Sequence, residues 1–269
     1  MLGGCVLLGG CAASPHSGRA QLTAPAPVSA AYSEMKMQMT LVTMPDGSAG
    51  VGRTASNVPV TFEQRVARIG MELARVAYEL HPELRDRVEK FEFIIADKSE
   101  AGTVSTSYGR IVILRPVSSL APADAALAFV VAREMAHVIA NHHGENTATS
   151  LVVSGLAYIL FPVAGLAKAL SSAFPSGAVA AGASSTVTAN TSATAASLVG
   201  SRVLVLSYQP KQQEEADALA LVLLGRLGYG APAVAAGFAK VDLKSQTNEW
   251  AAALQASLDR LASVGYELD

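Results

Sequence analysis

The stretch "AREMAHVIANHH", residues 132–143, decides how the chain is read. In a helix, residues four apart lie on one face, so Arg133 and His137 project to the same side, with Glu134 beside the first. A histidine at 133 would complete HExxH, the helical pattern that offers two imidazoles to a zinc ion and a glutamate to its bound water. The residue is arginine instead: always charged, a donor only, and unable to ligate a metal. Val130, Val131, Val138 and Ile139 make this helix apolar, which argues against a solvated Arg-Glu face.

The 269 residues are 51% hydrophobic and 16% charged, enough apolar material for a large core without a partner. A net charge of −2 and the lack of a basic run leave no electrostatic footprint for nucleic acid. Both cysteines, Cys5 and Cys11, lie near the start, so the rest of the chain has no internal disulfide. "LLGGCAAS", residues 7–14, resembles a bacterial lipoprotein signal, with Cys11 as the lipidated residue. The usual basic n-region is missing, so the true start is expected upstream of Met1. Lipidation would anchor the mature protein to a membrane without spanning it. By resemblance to enterobacterial lipoproteins, the lack of Asp after Cys11 implies the periplasmic face of the outer membrane.

Residues 12–57 are expected to hold an Ala/Ser/Pro-rich tether and then a strand. In that strand Met35, Met37, Met39 and Leu41 alternate with polar residues up to the Pro45-Asp46-Gly47 turn. Thioethers at this spacing also suit copper(I), a second reading of the same residues. Thr61 and Gln64 form a capping box for a helix over 62–80, and 90–97 and 109–115 read as strands. From 146 to 201 runs an apolar insert whose only charge is Lys168. Segments 151–170 and 177–199 within it read as two buried or membrane-grazing elements; a membrane hairpin over 151–199 is the alternative. Ala216, Leu219, Ala220, Leu223 and Leu227 form one helix face, and two further helices close the chain.

A strand pair, a helix with RExxH and, some eighty residues later, "QQEEADALALVLLGRLGY" follow in this order. Together they resemble metallopeptidase family forty-eight, the HtpX-like and CAAX-prenyl-protease group, especially its periplasmic lipoprotein branch. The resemblance covers roughly residues 60–265 and implies an α+β, mostly helical, zincin-like fold with a small sheet beside the RExxH helix. Residues 58–269 would form this domain.

In that family two histidines of HExxH and the glutamate of a later ExxAD bind zinc. The HExxH glutamate is the general base, and the aspartate orients a ligand histidine. Carried over, Glu134 is the base, His137 the retained ligand and Asp217 the aspartate, while Arg133 and Gln213 replace the other two ligands. The chain also has Gly102-Thr103 where the family has Asn-Ala, Tyr108-Gly109 where it has Gly-Gly, and lacks the C-terminal His-Pro pair. Possible substitutes are imperfect. Glu214 needs a change of helical register. His142 does not share a helical face with His137, and His143 needs a turn usually made at Gly, where this chain has Ala140.

The two replacements make joint physical sense. Removing a dication leaves buried carboxylates unpaired, at a cost of several kcal/mol. A guanidinium at 133 restores positive charge and can bond Asp217 or Glu214, and Gln213 removes one negative charge. Two functions remain open. One is a lipid-anchored protein without a cofactor that binds protein or peptide segments, with envelope quality control implied by the resemblance. The other is an active zinc endopeptidase with a non-standard ligand set. A membrane-embedded protease is a third, resting on the 151–199 hairpin.

Overall fold

The computed structural model describes residues 11–14, 17–47, 61–160, 208–243, 245–246 and 248–265. Its elements begin with strands β1 (Cys11–Ala13) and β2 (Ala20–Leu22) and helices α1 (Ala26–Thr43) and α2 (Phe62–Leu80). Strands β3 (Glu92–Ala96), β4 (Thr103–Ser105) and β5 (Arg110–Leu114) follow. Then come helices α3 (Val117–Leu120), α4 (Asp124–Ile139), α5 (His142–Leu160), α6 (Pro210–Arg226), α7 (Ala231–Phe238) and α8 (Glu249–Gly265). Most of the apolar insert, and the question of a hairpin over 151–199, lies outside the described residues. Among the described residues no single helix is long and apolar enough to cross a membrane.

Helix α2 starts as its sequence dictates: Gln64 N donates to Thr61 Oγ1 at 3.2 Å and Thr61 N to Gln64 Oε1 at 2.9 Å. Its face of Val66, Ile69, Leu73, Val76 and Ala77 is buried. Gly70 lets the ring of Phe93 approach; a Cβ there would lie 2.6 Å from it.

The sheet has the order β3-β5-β4, with β3 and β5 parallel and β4 antiparallel to β5. Residues 103–105, between the two strands expected from the sequence, supply the third. Central β5 is buried on both faces, which explains its unbroken apolar run. Ile111 and Ile113 enter the main core with α2, α4 and α6, while Val112 and Leu114 pack with Met37 of α1.

Helix α4 runs through the core, buried from Ala126 to Ile139. Arg65 Nε bonds Asp124 in its first turn at 2.9 Å. Arg87 closes the other end, donating to the carbonyls of Val138 at 2.7 Å and Ile139 at 2.9 Å. A carboxylate at the start and a guanidinium at the end both suit the helix dipole.

The N-terminal region corrects the sequence reading. Residues 35–41 are helical, not a strand, and belong to α1. The buried positions are Ser29, Ser33 and Met37, four apart, whereas Met39 is exposed. Nor do residues 17–30 hang free as a tether. Gln21 Nε2 donates to Ala140 O at 3.2 Å, and Ala24 N to Gly144 O at 3.0 Å.

A carboxylate and histidine cluster between the two central helices

Helices α4 and α6 bring RExxH and QQEEAD together. Arg133 Nε donates to Asp217 Oδ1 at 2.7 Å, and a second guanidinium nitrogen bonds Gln213 Oε1. Both partners of the ion pair are buried. Arg260 of α8 holds the other oxygen, Asp217 Oδ2, with Nε at 3.1 Å. Asp217 is therefore gripped by two guanidinium groups. Arg260 carries no motif in the sequence and was invisible there. Glu214 is exposed and takes no part. Its neighbour Glu215 is the acid that turns inward.

Glu134 accepts from two hydroxyls of β4, Ser105 at 2.6 Å and Thr103 at 2.7 Å. Strand alternation places residues 103 and 105 on one face, so β4 presents both hydroxyls to α4. Trp250 Nε1 donates to Thr103 Oγ1 at 2.9 Å, fixing that hydroxyl from α8. Lys36 of α1 also feels Glu134: burial pulls its ammonium down to about 8, and the carboxylate partly offsets this.

The three histidines meet because the chain turns at Asn141, whose φ is 58°. Asn is among the few non-glycine residues that adopt this left-handed conformation readily, so no glycine is needed. The turn swings His142 back to His137, with their Nδ1 atoms 2.8 Å apart. The expectation that these two share no face holds only for a continuous helix. His142 Nε2 lies 3.3 Å from Glu215 Oε2. His143 points elsewhere, its Nε2 2.8 Å from Ser105 Oγ and 3.3 Å from Tyr208 OH. The Tyr208 ring stacks on His137 with centroids 3.4 Å apart and planes 6° from parallel.

Burial holds His137 well below its usual range, reinforced by the neighbouring His142 and Arg133, and pulls His143 down to about 3. Burial raises Glu215, but bonds from His142 and Ser17 and the charge of Arg19 outweigh this and hold it at about 2. Ser14 also bonds Glu215, Ser17 Oγ does so at 2.9 Å, and Arg19 clasps Glu145 through two bonds of 2.6 and 2.7 Å. Thus the cluster sets acids beside cations: Asp217 bonds Arg133 and Arg260, Glu145 and Glu215 pair with Arg19, and Glu134 acts on Lys36 through its charge.

Among the described residues no group of three His, Cys, Asp or Glu side chains is arranged to hold a metal ion. Position 133 supplies donors only, and Gln213 already accepts from it. One ring nitrogen of His137 is engaged by His142, and one ring face is covered by Tyr208. Cys11 lies in β1.

The order of elements, the sheet beside α4 and the pairing of α4 with α6 are those of a zincin-like α+β fold. No curated protein matches the sequence. The pattern of peptidase family M48 matches residues 63–263, most of the chain. The protein belongs to peptidase family M48.

Proposed function

We propose that this protein is a lipid-anchored member of its family in which a guanidinium has taken over the electrostatic work of the metal. It binds protein segments in envelope quality control and is impaired or inactive as a peptidase. The observation that carries this reading is the buried bond of Arg133 to Asp217 at 2.7 Å, with Gln213 as the second acceptor.

Family M48 normally uses zinc. The side chains present do not fit that ion. Three ligands leaving an open position are needed for catalysis, and here two of the family's three positions hold an arginine and an amide. A fixed cation between α4 and α6 also repels a dication. What remains is useful for binding. Strand β4 is at the edge of the sheet, and an edge strand captures an extended peptide through main-chain hydrogen bonds, without a metal.

One observation favours the second reading, an active zinc endopeptidase with an altered ligand set. His137 and His142 face each other through ring nitrogens, and Glu215 stands behind His142.

The anchor is the lipid on Cys11, at the periplasmic face of the outer membrane. Ser14, three residues later, already bonds Glu215, so an acylated Cys11 holds the domain against the bilayer rather than at the end of a tether.

Restoring the ligands tests the reading. The double variant Arg133→His with Gln213→Glu is expected to acquire zinc and to cleave casein, while the unaltered chain does not. Chelator-sensitive cleavage by the unaltered chain, lost in His137→Ala, establishes the endopeptidase instead.

A further inference from the structure

The main-chain groups of β4 divide between its two sides. Leu114 N donates to Gly102 O at 2.9 Å and Thr106 N to Arg110 O at 2.9 Å. Even-numbered residues therefore face β5, and alternation sends the groups of Ala101, Thr103, Ser105 and Ser107 to the outer edge. At one end of that edge Asn248 Nδ2 donates to Ala101 O at 2.9 Å. At the other, Ser107 N donates to Ser33 Oγ of α1 at 3.0 Å, and the two hydroxyls lie 3.3 Å apart. Met37, one turn on in α1, packs beside Val104.

The same N-terminal segment is clamped at a second place. Arg19 bonds Glu145 twice and lies 3.5 Å from Glu215. Between the two points Ala24 N holds Gly144 O at 3.0 Å. The segment thus runs from Glu145 and Glu215 beside the histidine cluster, past Gly144, to one end of the strand edge.

We propose that residues 17–43 are a strap, held by Arg19 on Glu145, by Ser33 on Ser107 and by Glu34 on Arg110 and Tyr108, whose release opens the β4 edge to an extended polypeptide. This rests on the peptide-binding reading above and adds its regulation. The occupant displaced is the chain's own α1, and the incoming partner is an unfolded segment that pairs with Thr103 and Ser105.

Two variants of the full chain, both with Cys5→Ser and Cys11→Ser, test it, using reduced, unfolded casein as the probe. Ser33→Cys with Ser107→Cys locks the strap by a disulfide. Arg19→Ala loosens it. Loss of a two-pronged charged hydrogen bond should speed hydrogen exchange at the Ala24 and Ser107 amides roughly tenfold to a hundredfold, sparing Ile111–Ile113 of β5. Casein binding should rise in Arg19→Ala, vanish in the locked form and return when the disulfide is reduced. Equal binding by locked and reduced forms, or unchanged exchange in Arg19→Ala, overturns the strap. Faster exchange with no casein binding by any form sinks the peptide-binding reading and leaves the docking of the segment intact.

Discussion

Arg133 Nε donates to Asp217 Oδ1 at 2.7 Å, tying the RExxH helix to the helix that follows the apolar insert. Because Arg260 holds the other carboxylate oxygen, the two sides of this pair are unequal. Asp217→Ala removes the one carboxylate shared by two guanidinium groups, while each keeps a neutral acceptor, Gln213 for Arg133 and Ser257 for Arg260, and should cost about 3–5 kcal/mol. Arg133→Met leaves Asp217 with Arg260 and should cost distinctly less. Urea denaturation of both variants checks the order. A smaller loss for Asp217→Ala than for Arg133→Met contradicts it.

Asn141 makes the turn that delivers His142 and His143, with φ at 58°. Asn141→Ala puts an ordinary side chain into the left-handed region and should destabilise by about 1–2 kcal/mol. Asn141→Gly should come close to neutral, since glycine accepts that conformation freely. Thermal or urea melts distinguish the two. Equal losses would mean that the Asn141 side chain matters more than its backbone.

His143 is held at about 3 in the fold against 6.5 in the open chain. The unfolded chain takes up a proton below about pH 6.5 and the folded chain does not. The full stability is therefore present above pH 6.5 and falls as pH drops from there toward 3. His137 is lowered for the same reason of burial and adds to the fall. His143 contributes a slope of about 1.4 kcal/mol per pH unit within that window. His143→Gln should flatten the curve between pH 6 and 4 by one histidine's share. Urea midpoints measured across that range check it, and parallel curves for the two proteins refute the assignment.

Trp250 is the chain's single tryptophan, and its Nε1 bonds Thr103, which in turn bonds Glu134. Its fluorescence therefore reports on the cluster. Thr103→Val removes the acceptor and should shift the emission while costing about 1 kcal/mol. An unchanged spectrum would place the indole outside this relay.

Much of this was legible in the sequence, and the exceptions have physical causes. The capping box of α2, the apolar run of β5 and the helix carrying Ala216, Leu219, Ala220 and Leu223 are local signals, and local signals survive tertiary packing. The meeting of Arg133 with Asp217 and Gln213 was readable because the order of the two motifs put them on facing helices. Helix α1 was misread since its buried stripe is Ser29, Ser33 and Met37, mostly polar, while the alternating methionines mimicked a strand. Methionine favours helices, and that preference agrees with the fold. Thr103 and Ser105, two apart, lie on the short strand β4, which has no apolar alternation to announce it, and Lys36, Tyr208, Glu215 and Arg260 are single residues with no spacing rule between them. Arg19 is of the same kind: only the fold brings it to Glu145. Asn141 alone carried a usable signal, as a residue tolerant of a positive φ just before the histidine pair.

The zinc content of the purified full-length chain, measured by atomic emission after exposure to excess zinc and gel filtration, tests the exchange of dication for guanidinium most directly. The account predicts far less than one zinc per chain, and no change on substituting His137. One tightly held zinc per chain, lost in His137→Ala and retained in Arg133→Met, would contradict it.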